Sequence, residues 1–108
     1  MTAKSEYEAA YFTLLRAREE FDNLQRYREY LDREALRLDR FIQETRALVE
    51  AVAPRVRRTI DQTQKPLIEA AGRRRSVALD ELGRMDDRMA AAAAFVEECE
   101  LEVSALRA

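Results

Sequence analysis

Residues 7–52 read YEAAYFTLLRAREEFDNLQRYREYLDREALRLDRFIQETRALVEAV, and the spacing of their apolar side chains decides the fold. One seven-residue register takes Tyr7, Leu14, Phe21, Arg28, Ala35, Ile42 and Val49. Its companion takes Ala10, Ala17, Leu24, Leu31, Leu38, Thr45 and Val52. Arg28 and Thr45 are the two polar exceptions. No strand period fits so long a stretch, so the pattern predicts one helix over residues 5–53. Ser5 with Glu8 three residues on reads as a capping box at its start: hydroxyl to the third amide, carboxylate back to the cap amide.

A second clean seam follows near the C-terminus. Leu82, Met85, Met89, Ala92, Val96, Cys99, Val103 and Leu106 alternate spacings of three and four, which predicts a helix over 76–107. Between the two lies the ambiguous stretch 54–75. Pro54 fits the first position of a helix, where a missing N–H costs nothing. Pro66 and Gly72 disfavour regular helix around them, and Gly72 could end one helix with Ser76 capping the next. The reversal is expected near 53–56. Folded there, Leu48 comes near Ile60, Leu24 near Met85 and Leu14 near Val96. The economical architecture is all-α: a long antiparallel helical hairpin, coiled-coil-like, forming a single domain over 1–108. Its second arm is expected to be irregular or kinked over 54–75, with a break near 66–75.

Composition agrees and excludes much else. Among 108 residues there are two Gly and two Pro, too few for a fold with a hairpin every eight to twelve residues. The mixed charge, net −2 with 37% of residues charged and 47% hydrophobic, is not that of a disordered chain. With no His there is no imidazole base, no Ser-His-Asp triad and no His-containing metal site. Two glycines cannot build a phosphate-binding loop or a dinucleotide fingerprint. Cys99 is the one cysteine and lies on the apolar seam, where burial makes a thiol inert. No enzyme, no cofactor, no catalytic residue and no metal site is therefore expected. The opening Met1-Thr2-Ala3-Lys4-Ser5-Glu6 lacks an apolar leader. The longest uncharged apolar run, 89–96, falls far short of the ~20 residues of a membrane span. Those features and the unpaired cysteine predict a soluble, cytoplasmic protein.

Two groups of residues stand out as candidate binding surfaces. The first helix carries large apolar side chains off its seam, among them Tyr11, Phe12, Leu15, Tyr27, Tyr30, Leu36, Phe41 and Leu48. A lone hairpin has nothing to cover them, so Tyr11, Phe12, Leu15, Tyr27 and Tyr30 are the expected interface for a second copy or another helical protein. The hairpins are then expected to assemble into a helical bundle, a homo-oligomer. The second group is basic. Residues 54–75 hold Arg55, Arg57, Arg58, Lys65, Arg73, Arg74 and Arg75 against Asp61 and Glu69, net +5. Residues 76–108 are net −5. This layout reads as an ordinary solvated surface, as end-to-end or antiparallel self-assembly, or as a phosphate grip for nucleic acid or anionic lipid through Arg55, Arg57, Arg58, Arg73, Arg74 and Arg75. The absence of an aromatic residue from that stretch, and an overall pI near 5.3, weigh against nucleic acid.

The chain lacks the Trp-x-Gly turn that marks the small secreted helical hairpins. Its basic tip has the opposite sign to the acidic tips of hairpin factors that enter the RNA polymerase secondary channel. In coarse shape alone it is similar to export chaperones of flagella and secretion systems, which are helical hairpins with exposed apolar flanks.

Overall fold

A computed structural model describes residues 2–107 of the chain. Two helices account for nearly all of it: α1, Ala3–Ala51, and α2, Pro54–Arg107. They form the expected all-α hairpin, with no strand among the described residues.

Helix α1 begins two residues earlier than the Ser5 reading predicts. The cap is Thr2, whose hydroxyl accepts the Ser5 amide proton at 3.2 Å, while its carbonyl accepts from the Glu6 amide at 3.0 Å. Ser5 becomes the third helical residue, its hydroxyl 3.0 Å from that of Thr2. The Ser5–Glu8 pair and the Thr2–Ser5 pair have the same spacing, and Ala3 and Lys4 do not resist helix, so the chain takes the earlier cap. At the other end α1 stops at Ala51 rather than at 53, and the turn is Val52 and Ala53 alone. Proline at 54 keeps Ala53 out of helical geometry. It then opens α2 as the first helical residue, with the Val56 and Arg57 amides both donating to the Ala53 carbonyl.

The irregular stretch expected over 54–75 is helix throughout, and the break near 66–75 is absent. Pro66 lies inside α2. It sits on the exposed face together with Gln62, so the carbonyl that Pro66 cannot bond is turned to water rather than buried. Ile60, Gln64, Ile68, Ala71, Arg75 and Ala78 are all buried or half-buried and continue the seam unbroken into Leu82 and Met85. That burial outweighs the local penalty of one proline and one glycine. Neither glycine adopts the positive φ that a helix end would need.

The chain divides into two compact units. The first comprises residues 1–28 with 84–108 and the second residues 29–83. In the first, Ala10, Leu14, Ala17, Cys99 and Val103 form a core, with Tyr7, Val96 and Leu106 packed against it. Val96, expected beside Leu14, packs against the cluster to which Leu14 belongs. In the second, Leu38, Ile42 and Ala71 form a core against which Ile68 packs. Of the fourteen seam positions from Tyr7 to Val52 only Arg28 is exposed, and Thr45 is buried at 7%. Arg28 escapes the seam by reaching across it: its guanidinium lies 2.9 Å from Asp86 and 3.9 Å from the Met89 sulfur. Leu48, expected near Ile60, remains 67% exposed.

Candidate functional site

The apolar candidates do not share one face. On α1 at about 100° per residue, Tyr11 and Tyr27 point about 160° apart. Tyr11 and Leu15 form an i, i+4 pair on one flank, each 40% exposed. Tyr11 also stacks on Tyr7 at 6.2 Å between ring centres, and Tyr7 accepts a hydrogen bond from Arg107 at 3.0 Å. Phe12 faces outward and is 66% exposed. Tyr27 and Tyr30, three residues apart, occupy the opposite flank of α1 from Tyr11 and remain partly exposed. The sequence reading of α1 left out the matching side chains of α2. Val56, Leu67, Val77, Leu79, Phe95 and Leu101 are all exposed, on helical positions off the seam. Applying the off-seam test to the second arm as well as the first would have found them.

Open grooves flank the seam in both units. In the first unit, one of about 260 Å³ is lined by Arg18, Phe21, Asp22, Ala93 and Val96. In the second, one of about 470 Å³ lies between Asp32, Leu36 and Asp39 on α1 and Arg75, Leu79 and Leu82 on α2.

No protein-family model, curated protein or solved structure matches this chain. What it can do rests on its own side chains.

The six arginines named as an anion grip fall into two groups. Arg55 and Arg73 are separated by eighteen residues of continuous helix, about 27 Å. Three of the six are already engaged. Arg57 donates to the Glu50 and Val52 carbonyls at 3.2 and 3.3 Å, supplying the cation that the last turn of α1 lacks. Arg74 donates to Glu34 at 2.7 Å. The Arg75 Nε lies 3.5 Å from Asp39, buried and without a hydrogen bond. Among the described residues Arg55, Arg58 and Arg73 make no ion pair.

Glu34 is the best-held charge in the second unit. One carboxylate oxygen accepts from Arg37 at 2.7 Å and the other from Arg74 at 2.7 Å, leaving the side chain 11% exposed. The Arg37 hydrogen bond, followed by the charges of Arg37 and Arg74, holds its pKa below the ordinary carboxylate value against the opposing effect of desolvation. A depressed carboxylate contributes stability above its unfolded pKa, about 4.3, and loses it as pH falls through the folded value. Wild-type protein is therefore expected to lose more of its thermal midpoint between pH 7 and pH 3 than Glu34→Gln, measured by circular dichroism. Parallel midpoint curves would show that the clamp contributes nothing.

Cys99 is 3% exposed, and its thiol is pushed up first by burial and then by the charges of Glu102 and Glu98. Both effects disfavour the thiolate, which is the reactive form. Among the described residues no group of three or more His, Cys, Asp or Glu side chains is placed to hold a metal ion. No described helix is long and apolar enough to cross a membrane.

Proposed function

We propose that the chain is a non-enzymatic protein–protein interaction module, an adaptor, chaperone or structural subunit, acting in the cytoplasm through its helical hairpin. One observation carries the reading. Large apolar side chains remain exposed along both helices, Phe12, Leu36, Leu48, Val77 and Leu101 each above 60%, and on α1 the exposed Tyr30, Phe41 and Leu48 recur on one stripe. Single exposed apolar residues are ordinary, but recurrence along one element is the mark of a helix that docks another. The flank of α1 that carries Tyr30, and the outward Phe12, are the places to perturb. Phe12→Glu with Tyr30→Glu is expected to abolish association, read by light scattering for self-association and by affinity capture for another protein. Association unchanged in both assays overturns the reading.

The unpaired Arg55, Arg58 and Arg73 favour a second reading, a phosphate grip on nucleic acid. It requires binding to DNA or RNA at low salt that falls steeply toward physiological salt. No electrophoretic shift at low salt removes it.

A further inference from the structure

Beside its seam α1 carries a second regular stripe. Tyr30, Glu34, Arg37, Phe41, Glu44 and Leu48 recur at alternating spacings of four and three. Tyr30, Phe41 and Leu48 are 51%, 41% and 67% exposed. Helix α2 repeats the alternation with Leu67, Ala70, Arg74 and Val77, of which Leu67 and Val77 are 50% and 63% exposed. The Glu34–Arg74 bond joins the two stripes, so they lie side by side on one face of the second unit.

The middle of each stripe, Tyr30 to Phe41 and Leu67 to Val77, sets its apolar ends against each other when reversed. Pairing α1 antiparallel with α1 of another copy, about the midpoint between Glu34 and Arg37, sets Glu34 against Arg37 and Tyr30 against Phe41. The reversed stripe of α2, about the midpoint between Ala70 and Arg74, sets Leu67 against Val77 and Ala70 against Arg74. The bond between Glu34 and Arg74 brings these two midpoints to the same level within about two residues, or ~3 Å. Neighbouring registers of α1 are worse. One step toward Leu48 opposes Glu34 to Glu44, and one step the other way separates Glu34 from Arg37. Like charges directly opposed across an interface are strongly disfavoured, so the charges select a register.

We propose that this face of the second unit pairs with the same face of a second copy, about a two-fold axis perpendicular to the helices, as an antiparallel four-helix assembly. The assignment rests on the interaction reading above and names its partner. Isologous pairing closes at two copies, because each stripe supplies both halves of its own contact.

Cysteine cross-linking in a Cys99→Ala background tests it. Tyr30→Cys with Phe41→Cys reads the α1 contact, and Leu67→Cys with Val77→Cys reads the α2 contact independently. Within one chain each pair is ten or eleven residues apart on a helix, about 15–16 Å, beyond the ~7 Å reach of a disulfide. On oxidation each double variant is expected to double in mass from 12.6 kDa on a non-reducing gel, while each single-cysteine variant stays at one chain. A ladder of higher species overturns the closed two-fold. A wild-type dimer by light scattering in which neither pair cross-links overturns the register, and leaves the interaction reading standing. A wild-type monomer at high concentration with no cross-linking overturns the second copy as partner. The interaction reading then stands or falls on Phe12→Glu and Tyr30→Glu in affinity capture.

Discussion

Met85→Ala is expected to lower the unfolding free energy by about 2–4 kcal/mol, the cost of deleting a large buried side chain and leaving its cavity. Met85 is the one large side chain with no exposed surface among the described residues. It holds that position in a helix whose neighbouring seam residues Leu82 and Met89 are only half-buried. A thin seam has little surrounding material to collapse into a gap, so the cavity term persists. Leu101→Ala provides the contrast. Leu101 is 66% exposed, and its loss is expected to cost under about 0.5 kcal/mol. Urea unfolding followed by circular dichroism measures both. Equal effects would mean that the seam does not carry the fold.

Pro66→Ala is expected to stabilise by about 2–3 kcal/mol. Proline in a helix interior is about 3 kcal/mol worse than alanine, and part of that is returned by its stiffening of the unfolded chain. The gain follows from α2 running unbroken through position 66 on an exposed face, where the alanine N–H regains its carbonyl without disturbing a core. Gly72→Ala and Gly83→Ala should each add about 0.5–1 kcal/mol, because a Cβ at either position meets no atom within 4 Å and neither backbone is left-handed. A broken arm gives the opposite result. Alanine at a left-handed Gly72 would destabilise, and Pro66→Ala in a turn would change little. Thermal midpoints of the three variants separate the two architectures.

The seam was legible because helical periodicity is a local property of the chain. Tyr7 through Val52 and Leu82 through Leu106 are spaced as a buried stripe, and the structure leaves only Arg28 of those positions exposed. The same signal ran through 54–75 as Ile60, Gln64, Ile68, Ala71, Arg75 and Ala78, but polar residues at 64 and 75 and the flags of Pro66 and Gly72 obscured it. Local penalties of one to three kcal/mol read strongly in a sequence. They yield to a seam that stays continuous on both sides.

The candidate surfaces were legible as inventories and not as places. That Tyr11, Phe12, Leu15, Tyr27 and Tyr30 lie off the seam is a matter of counting, and counting also shows that they point different ways. Which of them lies beside Leu67 or Val77 depends on how α2 is set against α1. The arginines show the same limit. Net charge marks 54–75 as basic, yet Arg57 is spent on the last carbonyls of α1 and Arg74 on Glu34, forty residues away.

The sequence by itself determined the first long helix, the C-terminal part of the second, the buried stripes on both and the reversal between them, because these follow from spacing and from Pro54, which fits only the start of a helix. The tertiary structure decided the axial offset of one helix against the other. That offset is set by a two-residue turn and by the packing of Leu38 and Ile42 on Ala71. It alone brings Glu34 to Arg74 and sets the stripe of Tyr30, Phe41 and Leu48 beside that of Leu67 and Val77 in the second unit, since no local pattern records which residue of a distant helix stands opposite.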